Sequence, residues 1–314
     1  MANTTINTTV TTASSARFPS KYYDRQLLES AKTRFVHAEF GQKRPIPRNN
    51  GKHVNFRRWN LFDPALAQKG LAEGVTPDGQ TLSQTDVEAT VNQYGAYVEV
   101  TDLLDLTAYD SVINDSAELL GEQLGTVIEW VTRDVMCSGT NVQYAGGKSS
   151  RSALTASDKL TTEEIRKAVR TLKKNKARPF CDDGRQPHFI CICSPEATYD
   201  LQNDEMWKNV STYSNSEAIY SGEIGRLFGV VFVESTEAKV FTNNIHATLV
   251  FGKDAYGVID VEGKGAVQLI VKPHGSSGTA DPLDQRATVG AKVTAYTAAV
   301  LNDLWLVRIE HTVS

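Results

Sequence analysis

Two strand-like runs with a long unpatterned interval between them constrain this chain most. The first is Lys52–Trp59, KHVNFRRW, and the second is Val87–Thr101, VEATVNQYGAYVEVT. The interval from Asn60 to Asp86 is rich in Gly, Asp, Thr and Gln and has little periodicity. A compact domain rarely carries so long an irregular loop unless the loop has a function. The unit reads as a long β-hairpin arm that projects from a body and cannot bury itself. In the second run Val87, Ala89 and Val91 share one parity while Val98 and Val100 have the other, with Gly95 between them. A change of face at a glycine predicts a β-bulge there.

The segment 1–20 is Thr-, Asn- and Ser-rich and carries almost no apolar mass, so it cannot repay its ordering entropy alone. An amphipathic stretch over 22–40 follows, with Leu27, Leu28, Ala31, Phe35 and Ala38 near helical spacing. The strongest helical pattern spans 110–137. Ile113, Ala117, Leu120, Leu124, Ile128, Val131 and Val135 form its stripe, with Glu118, Glu122, Glu129 and Arg133 set away from it. At 1.5 Å per residue such a helix is about 40 Å long, enough to run the length of a domain as a spine. A second helix begins at Thr161 or Thr162, with acids in its first turn and lysines in its last, as the helix dipole favours. His188–Cys193 reads as a buried strand, followed by a helix starting at Ser194-Pro195. Gly225–Glu234, Ala247–Gly252 and Arg286–Val300 read as further strands. Asn302-Asp303 suggests a tight turn into a last strand, Leu304–Thr312.

The rest of the composition excludes more than it assigns. The 314 residues suggest about two domains. Lys+Arg 33 against Asp+Glu 37 gives a net charge of −4, so the chain as a whole is not a basic nucleic-acid glove. No apolar run has the length of a membrane span, and the N-terminus lacks the pattern of a secretory signal. The four cysteines are too few for a disulfide framework, so the expectation is a soluble, reduced, intracellular protein. Cys181, His188, Cys191 and Cys193 lack the CxxC pairs of a zinc site. Gly147-Lys148-Ser149 has Val142 where a P-loop needs glycine. GxSxG, HExxH and GxGxxG are missing. The expectation is therefore no enzyme, no cofactor and no metal. Basic residues cluster at Lys43, Arg44, Arg48, Lys52, Arg57 and Arg58 and again over 166–178. The second cluster is one helix's solvated side. In the first, Arg57 and Arg58 beside Trp59 form a composition enriched at protein interfaces, with weak phosphate contact as the alternative.

The order of these parts resembles the major capsid proteins of tailed bacteriophages with the Hong Kong 97-type fold. Several strings resemble the coliphage N-four-type major capsid family: LAEGVTPDGQTLS over 71–83, VEATVNQYGAYVEVTDLLD over 87–105, DPLDQRATVGAKV over 281–293 and VLNDLWLVRIE over 300–310. The resemblance implies an α+β capsid fold. Residues 1–49 would be an N-terminal arm and 50–101 the extended loop. Residues 102–185 and 266–314 would form a peripheral domain around the spine helix, and 186–265 the axial domain. It further implies a virion shell of hexamers and pentamers, assembled in the bacterial host cytoplasm around double-stranded DNA that the inner wall contacts weakly. Scaffold, portal and decoration proteins would be its partners, with no membrane. Some relatives of this fold join a lysine of the extended loop to an asparagine of a neighbour; Lys69 lies in the loop and Asn302 is one conceivable partner, but Lys69 is expected to be an ordinary exposed lysine. The contact candidates between subunits are Arg57, Arg58 and Trp59 on the arm and Glu73 in the loop beyond. Glu118, Glu122 and Glu129 on the spine would pair with the arginines by charge, unless those arginines hold the arm's own strands together. The competing readings are a cellular nanocompartment shell of the same fold, an intracellular enzyme, and a sheet-rich adhesin or tail component.

Overall fold

The computed structural model describes residues 36–314 except 48, 50, 68–72, 75, 77–78, 109–111, 182–185, 208–222, 262–266 and 277–280. Along the chain the strands and helices are β1 (Gln42–Ile46), β2 (His53–Trp59), α1 (Pro64–Ala67), β3 (Gln84–Thr90), β4 (Asn92–Thr101), α2 (Asp102–Thr107) and α3 (Val112–Met136). Then come β5 (Val142–Tyr144), α4 (Thr162–Lys174), β6 (Phe189–Cys193), α5 (Pro195–Asn203), β7 (Glu223–Leu227) and β8 (Val230–Glu234). The last are β9 (Val240–Phe241), β10 (Ile245–Phe251), β11 (Tyr256–Val261), β12 (Gln268–Lys272), β13 (Arg286–Val300) and β14 (Leu306–His311).

The long strand β13 is the axis of the first sheet. Val289 pairs with Val98 of β4 on one side and Val271 of β12 on the other. Beyond β12, the second half of β13 pairs with β11, and β1 lies parallel outside β11. The second sheet runs β5-β14-β10-β6-β8-β7, with β9 also on β10. One face of this second sheet is covered by α4 and α5, where Ile165, Leu172, Ala197 and Leu201 meet Cys191, Cys193, Phe232 and Val250. Its other face, through Ile190, Ile192, Leu249 and Phe251, shares the main core with Leu120, Leu124 and Met136 of α3 and with Val289, Ala291 and Val293 of β13. Burial on both faces is why β6 reads as an unbroken apolar run rather than an alternating one.

The helix starts follow local chemistry. The Thr161 hydroxyl accepts from the Glu164 amide at the start of α4, and the Ser194 hydroxyl accepts from the Ala197 amide at the start of α5. No helix among the described residues is long and apolar enough to cross a membrane.

Several expectations are corrected. The bulge is not at Gly95, which faces Lys292 in unbroken register; the shift lies between Val293 and Tyr296 on β13, opposite Tyr94 and Asn92. That extra residue turns β13 over: Val289, Ala291 and Val293 face the main core with Tyr296, while Ala295 and Ala299 face the opposite side. The run 87–101 is two strands, since β3 pairs with β2 while β4 enters the first sheet. The run 225–234 is a two-residue hairpin, with Phe228 at φ 53° and Gly229 at φ 76°, the left-handed pair that suits the twist of two antiparallel strands. Asn302-Asp303 does not return the chain onto β13. A short 3-10 turn, Asp303–Trp305, sends β14 into the second sheet beside β10. Of the amphipathic stretch over 22–40, residues 22–35 lie outside the described residues, and 37–39 form a turn rather than a helix. The sheets also cut across the sequence segments: β11 joins the first sheet with β13, and β5 and β14 join the second.

Candidate assembly interface

The β2–β3 hairpin runs in plain antiparallel register, Val54 opposite Ala89 and Phe56 opposite Val87. These inward side chains rest on Ile46, Ile259, Ala295 and Ala299 of the protomer's own first sheet. The root of the arm is therefore packed, contrary to the expectation of a fully projecting hairpin. Its far end is not. Trp59 is 61% exposed, Leu61 85%, Phe62 52% and Leu82 66%. Asn60 holds this end shut, its amide donating to the Ser83 carbonyl and its side chain accepting from the Thr85 hydroxyl at 3.0 Å. Four large apolar groups collected at the tip of a closed hairpin form a patch of the kind that marks an interaction site.

Arg57 stands opposite Asp86 and Arg58 opposite Thr85 across the hairpin. Both arginines line a cavity of about 510 Å³ between the hairpin, β1 and the turns that lead to the second sheet. Arg44 of β1 and Arg178 also line it, and Arg178 stacks over the Trp305 ring at 5.9 Å. The other charged residue in the lining is Asp254. Asn302 is 8% exposed, lines the same cavity, and its Oδ1 is buried without a hydrogen-bond partner among the described residues.

The acidic candidates separate. Glu73 is exposed in a turn with Gly74, whose φ of 77° a side chain would strain. Glu118 is exposed on α3 and Glu122 is half-buried, and neither is without a partner. Glu129 is 0% exposed and lies on the buried stripe of α3 with Leu120, Leu124, Gly125, Thr132 and Met136. Its Oε1 accepts from the amides of Val36 and His37, both at 2.8 Å, and from His37 Nδ1 at 2.6 Å. The expectation that Glu129 faces a neighbour is therefore corrected: it is an internal clamp. Burial alone would push its carboxyl up, but the His37 side chain, its charge and the two backbone amides hold it below the usual range. An ionised carboxylate only accepts, so Nδ1 of His37 carries the proton. The Tyr256 hydroxyl donates to the His37 carbonyl and completes the clamp.

Sequence reasoning missed other exposed apolar groups. Leu103 and Leu106 on α2 are 57% and 83% exposed, and Leu269, Ile270 and Val271 of β12 are each about half exposed. The run LIV in β12 has no alternation, which is the one available hint that both its faces are covered in some state. Lys69 lies outside the described residues. Cys191 and Cys193 are buried in the core between β6 and α5, and His188 Nδ1 lies 3.1 Å from the Gln186 carbonyl oxygen. Among the described residues no group of three or more His, Cys, Asp or Glu is placed to hold a metal ion.

Residues 41–267 match a family model described as phage capsid protein. No curated protein matches the chain. Among solved structures, the capsid of Ralstonia phage GP4 is 13% identical, with 95% of this chain and 96% of that one covered and a TM-score of 0.72. The capsid of cyanophage P-SCSP1u is 14% identical, with 94% and 93% covered and a TM-score of 0.67. The holo-SrpI encapsulin complex from Synechococcus elongatus PCC 7942 is 9% identical, with 97% and 96% covered and a TM-score of 0.60.

Proposed function

Because the chain belongs to the phage capsid protein family and is a structural protein of the virion capsid, we propose that it assembles as hexamers and pentamers into the icosahedral shell that encloses phage DNA. The observation that carries this reading is the exposed apolar end of the hairpin, Trp59, Leu61, Phe62 and Leu82, on an arm whose root is already fixed to its own protomer. A closed shell supplies every such arm with an identical partner by symmetry. The hairpin lies over a neighbouring subunit, α3 and the first sheet form the peripheral region, and the second sheet belongs mainly to the axial region. Assembly takes place in the host cytoplasm with a scaffold, a portal and a decoration protein as partners. The chain carries out no catalysis and needs no cofactor. With a net charge of −4 it contacts packaged DNA only weakly.

The encapsulin likeness, at 9% identity, shows a shared fold and does not favour a nanocompartment. Size-exclusion chromatography with light scattering tests the proposal. Hexamers, pentamers, tubes or shells are expected. A clean monomer at tens of micromolar, with and without a co-expressed scaffold, would overturn it.

A further inference from the structure

Arg44, Arg57, Arg58 and Arg178 rim one cavity of about 510 Å³, and Asp254 is the carboxylate that shares it. The lining thus carries four arginines against one carboxylate, a local excess of positive charge. Asp86 stands opposite Arg57 in the hairpin register but is not part of the lining. The arginines come from three places in the fold: β1, β2 (which supplies two), and the segment after α4. One helix's solvated face would not gather them in this way.

The occupant must also answer Asn302. Its Oδ1 is a buried acceptor with no donor among the described residues. A bare phosphodiester supplies negative charge but no donor, whereas a peptide segment supplies a carboxylate and backbone N–H groups together. Arginine forks match a carboxylate bidentately, and Trp305 with Arg178 above it gives the socket an apolar wall.

We propose that this cavity is a socket for an acidic turn of a second copy of the chain, with Glu73 as the carboxylate that enters it. Several other hairpin acids are engaged: Asp63 Oδ1 accepts from the Ala65 amide at 3.0 Å, and Glu88 lies 2.9 Å from His53. Glu73 stands exposed on a turn of the loop between β2 and β3. Arg57 and Arg58 are thus the receiving side of the contact, while the apolar hairpin end is the inserted side. The inference rests on the capsid reading above and adds the residues that fix the docking register.

Charge reversal tests it in the full chain. Arg58→Glu and Glu73→Arg should each raise the concentration needed for assembly at least tenfold, with the melting temperature of the unassembled subunit unchanged. The double variant should return to within about threefold of the natural chain. Arg58→Gln and Arg178→Gln give milder losses in the same direction and guard against a folding defect in the reversed forms. A double variant worse than either single change would overturn the socket, as would normal assembly of Arg58→Glu. A subunit melting temperature that falls in Glu73→Arg and recovers in the double variant would place the pair within one chain and also overturn it. Stronger stabilisation of the subunit by short double-stranded DNA than by an acidic peptide spanning Glu73 would assign the cavity to phosphates instead. Failure of the unaltered chain to assemble at all would count against the capsid reading, not against the socket alone.

Discussion

Glu129 Oε1 lies 2.6 Å from His37 Nδ1, and both side chains are sealed from solvent. This pair ties the point where the described chain begins to the middle of the spine helix, ninety-two residues later in sequence. Removing the carboxylate strands three buried donors, the amides of Val36 and His37 and the His37 Nδ1–H, each costing about 1–3 kcal/mol when unsatisfied. Glu129→Ala should therefore cost the subunit about 3 kcal/mol or more, read by denaturant unfolding. A loss below about 1 kcal/mol would mean that the clamp contributes little.

The same pair sets a direction for acid sensitivity. The Glu129 carboxyl is held below its ordinary value of 4.5 in the folded state. Its contribution is complete above the unfolded value and is lost as pH falls through the folded one. Unfolding measured from pH 6 down to pH 3 should show a steep loss that Glu129→Gln flattens.

His311 acts in a higher window. Its ring is fully buried, with Nε2 accepting from the Thr248 hydroxyl at 2.9 Å and Nδ1 donating to the Thr312 carbonyl at 3.0 Å. Burial depresses its pKa from 6.5 to about 4. Between those values the unfolded chain binds a proton that the folded chain refuses, so stability falls as pH drops from about 6.5 to about 4, by roughly 3 kcal/mol in total. His311→Gln should remove that slope, and an unchanged slope would contradict the assignment.

Glu310 is 0% exposed and accepts both Nε and Nη2 of Arg151, at 2.7 and 2.6 Å, with Arg308 Nε 2.9 Å away. Arg151 also stacks on Phe241 at 3.6 Å. Glu310→Gln should destabilise the subunit by about 2 kcal/mol, less than for a fully enclosed triad because Arg151 is a third exposed. Thermal unfolding of the subunit checks this, and an unchanged midpoint would refute it.

The hairpin end should behave in the opposite way. Trp59 is 61% exposed in the protomer, so Trp59→Ser should leave subunit stability within about 0.5 kcal/mol. In assembly it should cost about 2 kcal/mol at every interface, the loss of a buried aromatic anchor. Light scattering should then show assembly failing or shifting to much higher concentration. Equal losses in subunit stability and assembly would place Trp59 inside the fold.

Elements whose cause is local were legible in the sequence. The Thr161 and Ser194 caps and the both-faces-buried strand β6 each follow from residues near one another in the chain. What failed depends on partners far away. Glu129 reads as a surface residue because a carboxylate belongs in water, and only the amides of Val36 and His37 make its burial tolerable. Gly125, four residues earlier and also buried, was the available hint that this side of α3 faces inward. The parity switch in 87–101 marks the passage from β3, whose Val87 and Ala89 face one core, to β4, whose Tyr94, Ala96 and Val98 face the other, and parity within one run cannot reveal that two cores are involved. The Phe228-Gly229 turn was missed because phenylalanine rarely takes a left-handed conformation. Of the candidate contacts, Trp59 was read from composition alone, whereas the gathering of Arg57 and Arg58 with Arg44 and Arg178 requires the fold.

Cryo-electron microscopy of particles assembled from the purified chain tests the central claim most directly. The account predicts closed shells of hexamers and pentamers in which Trp59, Leu61 and Phe62 are buried against a neighbouring subunit. Shells in which these side chains still face solvent would contradict the role given to the hairpin. A preparation holding only monomers, with or without scaffold, would contradict the shell itself.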